Sequence, residues 1–443
     1  KKLSLRNLEI NEQKLGNFLT LGYRSLNFDS ETYFKNIFSL EPGTNLILDF
    51  NLKITKRKYF KIDFKPNEKL KYNEIIENVR SLLSSSLSLR LRSDVPLAFC
   101  LSGGIDSGFL ASLAKKKLNK ADIKTFSIID EDQSYDESKN INQIISDLKC
   151  ENHQIKIKKK GNFFKTLKEL IKYHDCPIST ISYYVHSFLS EEISRAGFKV
   201  ALSGNGADEI FSGYYSHYQK YFASIDHDDK FIRELAHWEK LVKPFIRNPI
   251  LKDYDHFIKN PNDRSFSQSI GKNLENLVKI NKKQYDEIIY CKDKLRNSML
   301  NELFHEAVPI ALHHDDLNSM FYSVENRSPY LDKDLLEFML SVPTHYLIGD
   351  GYQKKILRDA SEGYLVNDVR LARQKFGFNA SINSLLSKEE IIEAVSEKNN
   401  IISNFIDLKK LNNLFLKKDF KFNGDLNKLL FSIISANIFL DSN

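Results

Sequence analysis

The chain has 443 residues, 42% of them hydrophobic, which is enough for two or three domains around a substantial core. Its formal charge of +7 is modest for that length and sits in short clusters such as Lys115 to Lys117 and Lys158 to Lys160, a pattern of solvated faces that argues against a nucleic-acid partner. Cys100, Cys150, Cys176 and Cys291 are widely spaced with no Cys-x-x-Cys, so neither a disulfide scaffold nor a zinc site is suggested. A cytoplasmic enzyme fits best, and no apolar run approaches the ~18 residues that span a bilayer.

In chain order, the sequence opens at Lys1 rather than Met and reads like the interior of something longer. No leader peptide is visible. Leu15, Phe18 and Leu19 have the spacing of a short helix within 11–23, and alternation over 45–59 predicts paired strands around Asp49-Phe50-Asn51. Pro66-Asn67-Glu68 reads as a connector. A new domain then begins near residue 70, where Ile75, Ile76, Val79, Leu82 and Leu83 repeat at helical spacing. From there strand and helix patterns alternate: strand 96–101, helix 107–118, strand 123–129, helix 137–148, strand 153–157, helices 163–174 and 183–196, strand 198–202. This predicts an α/β fold with a parallel sheet, right-handed crossovers and ligands beyond the carboxyl ends of the strands. After Asp208 the patterns turn helical, residues 226–300 carry no clear assignment, and those after 385 are helical with mixed polarity.

Two glycine-punctuated corners fall at such strand ends. Ser102-Gly103-Gly104-Ile105-Asp106-Ser107 follows the run Ala98-Phe99-Cys100-Leu101. Adjacent glycines permit unusual backbone angles and close ligand approach, and the following helix offers unpaired N–H groups, so the corner is an anion cradle suited to nucleotide phosphates. Asp106 would repel those phosphates unless a hard divalent cation lay between, which implies Mg²⁺. The competing reading is a Gly-Gly turn with a helix cap at Ser107. Leu202-Ser203-Gly204-Asn205-Gly206-Ala207-Asp208-Glu209 repeats the arrangement, and its acid would let Asp106 and Asp208 share the metal from opposite sides.

These corners, with Tyr135-Asp136-Glu137-Ser138, the run Val324 to Asp332 and Arg373-Gln374-Lys375, resemble the synthetase domain of glutamine-dependent asparagine synthetases over residues 70–385. Residues 1–65, especially Leu40-Glu41-Pro42-Gly43-Thr44, resemble the last part of that family's N-terminal glutaminase domain, an Ntn-hydrolase-type segment whose front, with its nucleophilic cysteine, is absent. Residues 386–443 would be a helical extension. The resemblance implies an adenine-nucleotide α-hydrolase sheet, the ATP pyrophosphatase type. It also implies adenylation of a carboxylate such as aspartate by ATP with Mg²⁺, release of pyrophosphate, and displacement of AMP by glutamine-derived ammonia. By position, Ser102, Gly103, Gly104, Asp106 and Ser107 would hold pyrophosphate, and Asp106 with Asp208 the metal. Cys100, Leu101, Ile128, Ser203 and Gly204 would line the AMP pocket, with Lys354 and Lys375 near the phosphates. A small-molecule carboxylate, a glutaminase as ammonia source and no membrane or nucleic-acid partner follow, and a homodimer is compatible.

The pattern is broken at Asn205, where the family commonly carries a glutamate. An amide cannot accept a proton near neutral pH, so a basic role at that position is excluded, and uronic acids or an internal, cyclising amide compete with aspartate. Lys354 and Lys355 could face water as adjacent helical lysines, whereas Lys375 precedes the apolar Phe376-Gly377-Phe378. Adjacent His313 and His314 would point to different helix faces, so a metal site with His305, Asp315 and Asp316 is not expected. Glu306 and Asp316 are expected to hydrogen-bond in a helical layer over the site. Arg327 reads either as partner of a buried carboxylate or as a substrate clamp, and Tyr214, Tyr215 and Tyr218 as core and rim packing.

Overall fold

The computed structural model describes residues 8–120, 122–130, 136–157, 162–226, 228–265, 270, 272–280, 285–375, 380–396, 400–416, 422 and 424–443. Helix α1 (Glu12–Leu21) buries Leu15, Phe18 and Leu19, and Asn11 caps it by accepting from the Lys14 N–H. Strands β1 (Thr44–Leu48) and β2 (Ile54–Lys58) pair antiparallel, as their alternation predicts. This hairpin leaves Leu46, Ile47, Phe50 and Leu52 exposed.

After α2 (Tyr72–Arg90) comes the alternating region: β3 (Leu97–Cys100), α3 (Ile105–Lys116), β4 (Lys124–Ile129), α4 (Ser138–Leu148), β5 (Glu151–Lys156), α5 (Phe163–His174), α6 (Ile181–Arg195) and β6 (Val200–Leu202). Strands β3 to β6 and β7 (Glu325–Arg327) form one sheet in the order β5-β4-β3-β6-β7, every pair parallel. The α/β parallel sheet expected from the sequence is therefore present. Successive side chains of β3 alternate between faces: Leu97 and Phe99 join a core with α2 and α3, while Ala98 packs with Phe126 and Ala201 on the other side. Chain order runs outward from β3 to β5 and then returns to β6 on the other flank of β3. That reversal is the topological switch point where such sheets bind ligands.

Two boundaries differ from expectation in ways that matter. Helix α3 starts at Ile105, not 107, because Gly104 takes the extended N-cap conformation (φ −86°, ψ 161°), which places Asp106 and Ser107 in the first helical turn. Strand β7 went unread because its three residues, Glu325-Asn326-Arg327, are polar; it lies at the sheet edge, paired to β6 alone.

Beyond the sheet follow α7 (Ala207–Phe211), α8 (Tyr215–Phe222), α9 (Asp229–Leu241), α10 (His256–Lys259) and α11 (Lys294–Asn301). A π-helical turn at Glu302–Glu306 leads into α12 (Val308–Phe321), then α13 (Lys333–Ser341), α14 (Lys355–Ala360) and α15 (Asn367–Arg370). The last helices are α16 (Lys388–Ser396), α17 (Asn400–Phe405), α18 (Leu408–Phe415) and α19 (Gly424–Asp441). Helix α1 packs against α17 and α19 in one shared core with α5 and α6. Among the described residues no helix is long and apolar enough to cross a membrane.

Candidate active site at two glycine corners

Because Phe99 of β3 lies beside Leu202 of β6 in parallel register, the loops leaving both strands emerge side by side. In the first corner, Ser107 Oγ accepts from the Ser102 N–H at 2.9 Å, and Ser102 Oγ accepts from the Gly104 N–H at 3.2 Å. The corner thus closes on itself through hydroxyls. Gly103 donates its N–H to Glu137 Oε2 at 3.2 Å, and its carbonyl accepts from Asn140 Nδ2 at 3.1 Å. A Cβ on Gly103 would stand 2.8 Å from the Asn140 Cβ and 2.9 Å from that of Glu137, so only glycine lets helix α4 pack this closely.

The second corner reaches outward instead. Gly206 sits at φ +89° and starts α7, putting Asp208 and Glu209 in its first turn. A Cβ on Gly204 would lie 3.1 Å from the Asp106 Cβ, so the two corners touch. Lys354 Nζ lies 2.6 Å from Asp106 Oδ1 and 2.6 Å from Asp208 Oδ1, while Lys375 Nζ lies 2.7 Å from Asp208 Oδ2. Two carboxylates about a hundred positions apart in the chain therefore share one ammonium. Lys354 is only 5% exposed and takes a left-handed backbone (φ +54°) at the start of α14, so it does not face water. Lys355 turns away to Asp359 at 2.7 Å.

Burial raises the Asp106 pKa, only partly offset by Lys354. Burial also acts on Asp208, but the ammoniums of Lys354 and Lys375 outweigh it and hold that carboxyl well below the usual range. Burial pushes Glu137 up to about 7, and burial followed by the neighbouring charge of Asp208 takes Glu209 up to about 7. Tyr214 donates its hydroxyl to Glu209 Oε1 at 2.5 Å, and its ring lies under Lys375 at 4.3 Å.

The corners open onto a cavity of about 300 Å³. Cys100, Leu101, Ser102, Asp106, Ser107, Ile128, Ser203, Gly204 and Asp208 all line it. Gly103, Gly104, Lys354 and Lys375 are not among the lining residues, although the two lysines pair with Asp106 and Asp208, which are. An apolar slot of Phe126, Leu189, Ile193, Ala201 and Val324 continues from Cys100, whose thiol burial pushes up to about 12 and so keeps protonated. Sequence reasoning gave no site role to Glu137, His186, Glu209 or Asp315, which also line the cavity. Tyr135 and Phe376 to Phe378 fall outside the described residues.

Comparison with known proteins follows the same stretch of chain. The profile of the asparagine synthase family matches residues 78–438. The chain belongs to that family. It is 27% identical over 398 residues to asparagine synthetase [glutamine-hydrolyzing] 1 of Bacillus subtilis, covering 86% of this chain and 61% of that protein. A putative asparagine synthetase 2 of Methanocaldococcus jannaschii is 32% identical over 235 residues (52% of this chain, 43% of that protein). Amidase chyE of Penicillium rubens is 29% identical over 213 residues (44% and 31%). The chain thus spans less than two thirds of the length of these relatives.

The remaining expectations for an asparagine synthase family chain fall as follows. Arg327 donates to the carbonyls of Arg90 and Arg92 and pairs with Glu325, so it ties β7 to the end of α2 and is no substrate clamp. His314 bonds Ser179 Oγ at 2.7 Å and His174, while His313 approaches Cys176 and His305 bonds the Tyr290 hydroxyl. The histidines share no ligand point. Glu306 does bond in the helical layer, to Arg24 and Arg264, and Glu302 beside it meets His217 at 2.6 Å. The acid over the cavity is Asp315 rather than the exposed Asp316, because α12 turns only one of the adjacent pair inward. Tyr218 is core, Tyr215 accepts the Lys375 N–H, and Tyr214 belongs to the site itself. One group with metal-ligand spacing, Glu234, His237 and Asp350, borders a second cavity beside Lys230, Arg233 and Lys355. A magnesium nucleotide fits the corners better. Asp106 and Asp208 already clasp a cation, the Lys354 ammonium, where the two corners meet.

Proposed function

We propose that this protein is an ATP-dependent amide-forming ligase that adenylates a carboxylate and replaces AMP with ammonia. The observation that carries the reading is the clasp of Lys354 by both Asp106 and Asp208 at 2.6 Å, at the mouth of two glycine corners. Ser102, Gly103, Gly104 and Ser107 would hold the leaving pyrophosphate, with the α3 N-terminus behind it. The adenosine would lie in the slot of Cys100, Leu101, Ile128, Ser203 and Gly204, an α-hydrolase type of nucleotide site. Mg²⁺ between Asp106 and Asp208 would neutralise phosphate charge. Lys354 and Lys375 supply the rest of the positive charge that in-line attack on a polyanion requires.

In the first step a carboxylate oxygen attacks the α-phosphorus and the bridging bond to the β-phosphate breaks, its electron pair leaving on pyrophosphate. The nitrogen lone pair of ammonia then attacks the acyl carbon and AMP departs. The ammonia is drawn from glutamine by a glutaminase domain of which residues 1–65 are the tail.

A carboxylate other than aspartate is the second reading, and Asn205 in the cavity lining, where the family commonly carries a glutamate, favours it. A uronic acid, or the acid end of a molecule that closes on its own amine, would be the substrate in that case. A pyrophosphate-release screen of aspartate against uronic acids, with ammonium chloride as nitrogen source, tests both. Release above background with one acid is expected, and silence with every acid sinks the ligase reading.

A further inference from the structure

Three elements meet at one carboxylate that the nucleotide machinery does not use. Helix α12 turns Asp315 into the cavity, where only 9% of the residue is exposed. From the second corner Asn205 donates its Nδ2 to Asp315 Oδ2 at 2.7 Å, and from α6 His186 brings Nδ1 to 3.0 Å from Oδ1. A carboxylate has about four acceptor positions, so these two contacts orient it without filling it. Asn205 was a loss of basicity by residue type, yet in space it hands the position a carboxylate one hydrogen bond away. Cys100 at the end of β3 lines the same cavity as Asp315.

Asp106, Glu137, Asp208, Glu209 and Asp315 line the cavity with His186, and Lys354 and Lys375 pair with two of these acids. Gly103 of the first corner accounts for Glu137, Lys354 and Lys375 account for Asp106 and Asp208, and Tyr214 takes Glu209. Asp315 is left facing the cavity.

We propose that Asp315, held by Asn205 and His186, is the subsite for the nitrogen nucleophile. It binds ammonia, or the primary amine of a substrate, through N–H···O bonds. As the C–N bond forms, positive charge grows on the nitrogen beside a fixed carboxylate, which is where preorganised charge lowers a barrier. The C–O bond to AMP breaks with its electron pair on the phosphate oxygen, and the one proton that the nitrogen must lose passes to the Asp315–His186 pair. This rests on the ligase reading above, and it places the selection of the nitrogen donor on α12 and α6 rather than on the loop.

The test separates the two half-reactions in the full chain. Asp315→Asn and His186→Gln are compared with wild type, using whichever of aspartate, glucuronate and galacturonate supports ATP–pyrophosphate exchange. Exchange should stay within about threefold, while amide formation from ammonium chloride falls about 100-fold, the range for a lost proton acceptor. Hydroxamate formation from hydroxylamine, whose more acidic nitrogen gives up the same one proton with less need of an acceptor, should fall less. Amide formation within about threefold of wild type in both variants overturns the subsite. So does exchange lost in parallel with amide formation while thermal melts are unchanged, since Asp315 would then serve the nucleotide. Wild-type silence in exchange with all three acids fails the ligase reading instead, and the subsite falls with it.

Discussion

The two glycine corners look alike in sequence and differ in how they are held. The first is closed largely by its own neighbours, with Ser102, Ser107 and the Gly104 N–H bonded within six residues and α4 pressed against Gly103, while its Asp106 reaches the Lys354 that Asp208 shares. The second is tied to distant elements: Asp208 to Lys354 and Lys375, Asn205 to Asp315, Glu209 to Tyr214. A local cradle can be swapped between proteins as a motif. A hub of long-range contacts sets what this particular chain does with the bound nucleotide.

Substitutions at the acids test that contrast most severely. Asp208→Asn should cost about 100- to 1000-fold in pyrophosphate release, the range for removing a preorganised charge contact, because it takes the carboxylate partner from Lys375 and one of the two from Lys354. Asp106→Asn should cost less, and both should abolish the rise in melting temperature produced by Mg²⁺ with ATP. A larger loss at Asp106 would invert the comparison. Next in size, Gly103→Ala should raise the KM for ATP roughly tenfold and destabilise by about 1–3 kcal/mol, since the new methyl meets packed helix α4. A variant as stable as wild type would show that the cradle is looser than it looks.

Protonation sharpens the comparison further, because each corner carries one carboxyl that burial lifts from 4.5 to about 7, Glu137 beside the first and Glu209 in the second. Between those values the folded chain binds more protons than the unfolded one, so stability should fall as pH rises from about 4.5 to about 7. Urea midpoints across that window should show the slope, and Glu137→Gln with Glu209→Gln should flatten it. The smallest effect belongs to a neighbour. Lys355→Met, which removes a half-exposed pair with Asp359, should change stability by less than about 1 kcal/mol and leave pyrophosphate release intact, unlike Lys354→Met.

What could be read in advance follows the same division. The parallel sheet and the first corner depend on short-range patterns: apolar strands, adjacent glycines and a helix beginning directly after them. The convergence of Asp106 with Asp208 was inferable because both acids follow strand ends. Asp315 was not, since α12 carries two adjacent acids and only packing decides which faces inward. Lys354 and Lys355 pose the same difficulty, resolved by a left-handed residue that no propensity announces. Asn205 misled for another reason: residue type reports the chemistry of one side chain, not of what it holds.

Helix α1 finds its partners in α17 and α19, some four hundred positions further along the chain. Helix α1 therefore cannot complete its apolar packing until α17 and α19 have been made, whereas the sheet from β3 to β6 can assemble earlier. Displacing either α1 or α19 should expose the same apolar layer, so these two distant segments stand or fall as one unit.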